Sequence, residues 1–357
     1  MPEIIELQGT PYEMGCQHGE LLAGEIRELA DIRLTLAREF AEDHGVSLSV
    51  ESCLDAARQF LPFHEQYSAE VMAEWQGIAD GASLPVEEVF FANALTDFQD
   101  TLWQAQQVEV HGCTSFAISS EATVDGSTYI GQTWDMHASA EPFIRVFRRR
   151  PAQGPSSLTM TTSGCLTLVG VNEAGIAIGN NNLRPTDARP GVVYLAMMHR
   201  ALKQTDWRTA VNSITGAYRA SGHNYVMAHE SGARSNIETT ATRYFEDQIS
   251  TPKYVHSNHY LDDGLRELED PTIDRGSTEH RLARLRQALA ENSDPLTPEG
   301  LRPLLSDHDG GEPLGICRHG TGHGARSCAF VVAEPADRSL WVSIGPPCEG
   351  TVERCAI

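Results

Sequence analysis

The periodicity of the chain changes abruptly at residue 112, and this change restricts its possible folds more than any other feature. Before it, Leu22, Ile26, Leu29, Leu36 and Phe40 fall at three- and four-residue steps or their multiples, so they share one helix face, and Gly45 supplies a stop after Asp43-His44. A second helix is expected over about 70–79, ending at Asp80-Gly81. A third is expected behind Ser83, which can cap it, with Pro85 in the first turn, Glu87 and Glu88 complementing the positive helix end, and Val89, Phe90 and Leu95 as its apolar residues. After residue 112, short β-rich runs follow one another with Gly, Asn and Asp between them. The expected strands are 114–119, 128–133, 143–148, 166–170, 175–180, 225–229, 237–242, 253–257, 328–333 and 340–344, with Asp125-Gly126 as a hairpin turn between the first two. Helical patterns interrupt them at 194–214 and 278–290, and Thr297-Pro298-Glu299 begins another short helix. With no internal repeat or low-complexity linker, residues 1–357 read as a single α+β domain, its strands in antiparallel layers with helices outside.

Charge and composition exclude several classes of function. Forty-nine acidic against 27 basic residues give a formal net charge of −22, which opposes diffuse attraction to nucleic acid or anionic lipid. Lys203 and Lys253 are the only lysines, and the arginines form no basic block. No apolar run approaches the roughly 18–20 residues that span a bilayer. The start, Met1-Pro2-Glu3-Ile4-Ile5-Glu6, lacks the basic and apolar regions of a secretory signal, so a cytoplasmic location is expected. Eight irregularly spaced cysteines with no CxxC pair indicate neither a disulfide framework nor a zinc ribbon. Buried free thiols are expected, one of them reactive.

The sharpest local feature is His111-Gly112-Cys113-Thr114-Ser115-Phe116, a glycine-cysteine pair directly before an apolar strand. Free cysteine in such a place is commonly an inert core residue. Its downstream company argues for more: Gly131-Gln132-Thr133-Trp134-Asp135, Asn172-Glu173-Ala174-Gly175 with Asn180-Asn181-Asn182, His256-Ser257-Asn258-His259 and Ile316-Cys317-Arg318-His319. With the opening Gly9-Thr10-Pro11-Tyr12-Glu13-Met14-Gly15 and Gln17-His18-Gly19, these strings cover essentially the whole chain. In their order and spacing the sequence resembles the acyl-CoA:6-aminopenicillanate acyltransferase (isopenicillin-N N-acyltransferase) family of N-terminal-nucleophile hydrolases.

That resemblance implies an αββα four-layer sandwich made as a precursor that cuts itself between Gly112 and Cys113. The products would be a mainly helical fragment, 1–112, and a sheet-bearing fragment, 113–357, held together as a heterodimer. Gly112, lacking a Cβ, suits the strained turn such a cut needs. Cleavage would free the Cys113 α-amine, whose reference pKa of about 7.7–8.0 lets it accept the thiol proton, so one residue holds nucleophile and base. The family further nominates Asp135 to align or polarise that amine, the Asn258 side-chain amide as an oxyanion donor and, more loosely, a backbone N–H near Asn182. The plain alternatives are a turn-forming aspartate and, for Asn180 to Asn182, a simple turn. Thr114, Arg326 and Ser327 are nominated for processing or for binding a substrate carboxylate.

The stretch Asp307-His308-Asp309 to Arg318-His319-Gly320-Thr321-Gly322-His323 invites a metal reading, but its spacing fits no closed zinc motif and no H-E-x-x-H occurs, so no metal and no cofactor is expected. A glycine-rich loop near the active-site rim is the preferred reading, with His256 and His259 as packed, hydrogen-bonded histidines. The expected activity is hydrolysis of a small N-acyl amine or N-acyl amino acid through an acyl-enzyme. Transfer of an acyl group from acyl-CoA or an amide to an amine is the alternative, and a non-catalytic binding protein on an unprocessed fold is the rival of another class. Expected partners are the acylated small molecule and the chain's own N-terminal fragment, with a homo-oligomer left open.

Overall fold

The computed structural model describes residues 3–43, 45–102, 112–273 and 275–357; His111 and Met1-Pro2 lie outside them. The strands in chain order are β1 (Ile4–Gly9), β2 (Cys113–Ile118), β3 (Tyr129–His137), β4 (Ile144–Pro151), β5 (Ser157–Thr162), β6 (Val169–Asn172), β7 (Ile176–Leu183), β8 (Gly222–His229), β9 (Arg234–Thr239), β10 (Tyr244–Gln248), β11 (Lys253–His256), β12 (Ala325–Glu334), β13 (Ser339–Ile344) and β14 (Glu353–Ala356). One sheet runs β1-β4-β5-β6-β7-β8-β9-β10, and the other runs β11-β2-β3-β12-β13-β14. The expected antiparallel layers are present with one exception: β1 pairs parallel with β4.

The two sheets face each other, β2 and β3 lying over β7 and β8. The helices between Pro11 and Leu102, with Tyr194–Leu202 and Trp207–Thr215, form the layer outside the first sheet. Helices Arg275–Glu291 and Pro298–Leu305 cover the second, setting Leu282, Leu285, Leu289, Leu301 and Leu305 against Phe116, Val255, Phe330 and Val332. The chain is therefore an αββα sandwich. Because β2 and β3 are covered on both faces, every one of their residues is buried.

Several sequence expectations need correction. In the mainly helical first third, strand β1 was not expected: it precedes the helices and supplies an edge to a sheet otherwise built from later residues. Ser83 does not cap the helix that follows it; it ends Ala69–Ala82 in the left-handed conformation with φ 56°. Asn180 to Asn182 are the end of strand β7 rather than a turn. The 194–214 pattern is two helices, and helix Val50–Tyr67, with strands β5, β10 and β14, was not foreseen.

The opening motif has a structural explanation. Thr10 and Glu13 form a reciprocal cap on helix Pro11–Leu21. That helix crosses Ala69–Ala82 so closely that a Cβ on Gly15 would lie 2.2 Å from the Glu74 carbonyl oxygen, and one on Gly19 would lie 2.4 Å from that of Ile78. Glycine is required at this crossing for space.

Candidate active site

Cys113 begins β2 opposite Trp134 of β3. Strand alternation turns Cys113, Ser115 and Ala117 toward the first sheet, and Thr114 and Phe116 toward helix Arg275–Glu291. Accordingly Ser115 Oγ donates to Asn181 Oδ1 on β7 at 2.6 Å, while Arg281 Nη1 on the helix donates to Thr114 Oγ1 at 2.9 Å.

The backbone of Cys113 is held from three directions. Its N–H donates to Asn258 Oδ1 at 2.8 Å. Its carbonyl accepts from Asn181 Nδ2 at 3.0 Å and from Arg281 Nη1 at 2.9 Å. Arg281 Nη2 also donates to Asn258 Oδ1 at 2.9 Å, so that oxygen faces two donors and the amide orientation of Asn258 is fixed. Asn258 Nδ2 then donates to the Asn182 carbonyl at 3.0 Å and keeps a second hydrogen. In an extended strand the N–H and C=O of one residue point to the same side, so the Asn182 N–H leaves β7 on the edge that faces Asn258. The glycine at 112 is explained by crowding: a Cβ there would lie 2.6 Å from Arg281 Nη2 and 3.1 Å from Asn258 Oδ1.

Asp135, near the end of β3, is buried. Its Oδ1 accepts from Ser327 Oγ at 2.8 Å, and its Oδ2 lies 3.8 Å from Arg318 Nε. Neither Asp135 Oδ2 nor Arg318 Nε has a hydrogen-bond partner among the described residues. Burial raises the Asp135 carboxyl, although Arg318, Arg281 and the Ser327 hydroxyl pull it back. Burial, reinforced by the Asp135 charge, pushes the Cys113 thiol up to about 12, against a hydrogen bond from the Asp135 backbone and the two guanidinium charges. Arg281 is pushed down to about 10 by burial and by Arg318, which leaves it a cation at neutral pH.

The structure thus brings together Gly112, Cys113, Thr114, Asp135, Asn182, Asn258 and Ser327. It does not bring Arg326, nominated above for substrate or processing: its guanidinium is engaged by Glu141 at 2.5 Å and Glu349 at 3.4 Å. His256 bonds Glu238 at 2.6 Å and His259 bonds Thr278 Oγ1 at 2.9 Å, so both are internal struts. A cavity of about 510 Å³ lined by Ile4, Leu22, Glu25, Arg145 and Ile344 lies at the β1–β4 edge and includes none of the Cys113 cluster.

Sequence reasoning missed Asn181, Arg281 and Arg318. A signal existed for Arg281. It sits among Thr278, Leu282, Leu285 and Leu289 on the buried stripe of its helix, where a charge needs a partner inside the fold.

The profile of the family described as acyl-coenzyme A:6-aminopenicillanic acid acyl-transferase matches residues 122–349. The 40 kDa form of the acyl-coenzyme A:6-aminopenicillanic-acid-acyltransferase of Emericella nidulans is 27% identical over 352 residues, 96% of this chain and 92% of that protein. Among solved structures, a mutant of the conjugated bile acid hydrolase from Clostridium perfringens aligns with TM-score 0.49 and 10% identity, over 69% of this chain and 92% of that one. Penicillin V acylase from Agrobacterium tumefaciens aligns with TM-score 0.46 and 13% identity, over 69% of this chain and 86% of that one. The match of the profile across most of the sheet-bearing region establishes that the chain belongs to the acyl-coenzyme A:6-aminopenicillanic acid acyltransferase family, and it is an enzyme acting on amide bonds.

Proposed function

We propose that the chain cuts itself between Gly112 and Cys113, and that Cys113 then transfers the acyl group of a small N-acyl amine or N-acyl amino acid to water. The observation that carries this reading is the Cys113 nitrogen fixed at 2.8 Å from Asn258 Oδ1 beside Asp135 and two buried arginines. That nitrogen is the atom cleavage would turn into an amine, and its acceptor is already in place.

In the continuous chain the thiol is held protonated, so its attack on the Gly112 carbonyl must be coupled to proton removal, for which the Asp135 carboxylate is the nearby base. The Cys113 nitrogen leaves with a proton, a thioester forms, and water hydrolyses it to a carboxylate on residue 112 and a free thiol and amine on Cys113. In the cut enzyme the amine takes the thiol proton as sulfur attacks the substrate carbonyl. The developing oxyanion accepts from the second Asn258 Nδ2 hydrogen and the Asn182 N–H. The amine returns its proton to the departing amine, and water releases the acyl group.

Two features support fragments that stay together. β1 would remain an edge strand of the larger fragment's sheet, and Glu74 would remain bonded to Arg149 and His199 across the cut. Transfer of the acyl group to an amine is the second reading, suggested by the name of the Emericella relative. Hydrolysis is favoured because water is always present, whereas transfer requires a second bound substrate and exclusion of water.

The test is turnover of N-acyl substrates with and without an added amine acceptor, with Cys113→Ala as control. Free acid in both conditions supports hydrolysis, and a new amide formed with acceptor supports transfer. Turnover by Cys113→Ala equal to wild type overturns both.

A further inference from the structure

We infer that the C-terminal region holds a structural metal site of Cys2His2 type, made by His308, Cys317, His319 and Cys348 and suited to Zn2+. The sequence argued against a metal because these residues form no closed motif and Cys348 lies far along the chain from the other three. Folding removes that objection. One ligand atom from each lies within 4.8 Å of every other. His308 Nε2 and His319 Nε2 are 3.0 Å apart, Cys317 Sγ is 3.6 Å from His319 Nε2, Cys348 Sγ is 3.3 Å from the same nitrogen, and the two sulfurs are 3.6 Å apart. A tetrahedron with Zn–S of about 2.3 Å and Zn–N of about 2.0–2.1 Å has edges of roughly 3.3–3.8 Å. Four groups able to offer lone pairs therefore converge at nearly the spacing one tetrahedral ion requires.

A second observation points the same way. His319 Nδ1 lies 3.1 Å from Glu349 Oε1, which places the proton on Nδ1 and turns the Nε2 lone pair into the cluster. A carboxylate behind a ligating imidazole is the usual outer partner of a metal-bound histidine. The backbone also presents the ligands: Cys317 N–H donates to the Asp307 carbonyl at 2.9 Å, and Arg302 Nη1 bonds the carbonyls of Pro347 and Gly350 at 2.7 Å, fixing the turn that carries Cys348. Thiolate and imidazole together favour Zn2+ over hard cations such as Mg2+ or Ca2+. Four protein ligands leave no open position for a substrate, so the site is structural. It would tie the 307–320 loop to the 346–350 turn. It would also seat Arg318, between two of the ligands, against Ser277 Oγ at 2.6 Å and toward Asp135 at 3.8 Å.

The test uses the full chain purified under reducing conditions, metal-stripped, then titrated with Zn2+ or Co2+. About one ion per chain is expected, with thiolate-to-cobalt charge transfer and the intense visible bands of a tetrahedral site, and a melting temperature raised by the ion. Cys348→Ser and His308→Ala, both at exposed positions, should each lose the cobalt spectrum or greatly weaken binding while keeping the wild-type circular dichroism. If either variant fails to fold, wild-type competition against a chromogenic zinc chelator decides alone. Failure of stripped wild type to take up Zn2+ or Co2+, or a tetrahedral spectrum unchanged in both variants, overturns the site. So does a Cys317–Cys348 disulfide found by mass spectrometry in protein purified without reductant and unable to bind metal after reduction.

Discussion

Two buried charged clusters lie on either side of the first sheet, and they are built to opposite rules. Around Glu74, both carboxylate oxygens are used: Oε1 accepts from Arg149 Nε at 2.9 Å and Oε2 meets His199 Nε2 at 2.9 Å. Arg149 is completed by Thr159 Oγ1 and the Leu166 carbonyl, and His199 Nδ1 by Thr167. Around Cys113, Asp135 Oδ2 and Arg318 Nε face each other at 3.8 Å with no hydrogen-bond partner among the described residues. A satisfied buried ion pair holds its elements in place, whereas unspent donors and acceptors beside a thiol are available to a reaction. The Glu74 cluster joins the helical first third to the sheets, and the Cys113 cluster marks the point where the chain is proposed to part.

The contrast can be broken by mutation. Glu74→Ala strands Arg149 without a counter-charge and should cost about 3–5 kcal/mol of stability, read by denaturant unfolding. Per folded molecule its turnover should stay near wild type. Asp135→Asn should do the reverse, lowering kcat/KM by about 100- to 10,000-fold with melting temperature unchanged or raised. If Asp135→Asn proves the less stable variant and the more active, the distinction fails.

The pH dependence of stability should separate the same residues with opposite signs. Burial alone would raise the Glu74 carboxyl, but the His199 and Arg149 contacts overcome it and hold it below the usual carboxylate range. Its contribution is therefore present above the unfolded value near 4.5 and lost as pH falls through the folded one. Asp135 is raised by burial, so the folded chain keeps its proton more tightly than the unfolded chain. Its ionisation reduces stability as pH rises from about 3.8 through the folded value. Melting temperature against pH should show Glu74→Gln flattening the acid limb and Asp135→Asn lifting the limb toward neutral pH. The second effect is the smaller, because Arg318 and Arg281 already offset part of the shift.

How legible each part was in the sequence follows from what holds it. β2, β3 and β12 announce themselves through local apolar runs, and Cys113, Asp135 and Asn258 stand in short strings whose resemblance to a known family suggested the site. β1 was hidden because its partner β4 lies more than a hundred residues later and pairs with it in parallel, which no neighbouring turn reveals. Arg281 and Arg318 reach Cys113 and Asp135 across separations no periodicity records, as does Asn181, whose strand end imitates a turn in composition. The His308–Cys348 corner was illegible for the same reason: its fourth member joins through the turn at Pro347 and Gly350 held by Arg302.

The most direct test of the Cys113 account is intact-mass analysis with N-terminal sequencing of freshly purified, active protein. The expected result is two associated fragments, 1–112 and 113–357, with Cys113 leading the larger, and a single uncut chain for Cys113→Ala. A fully active preparation made only of the uncut chain would contradict it.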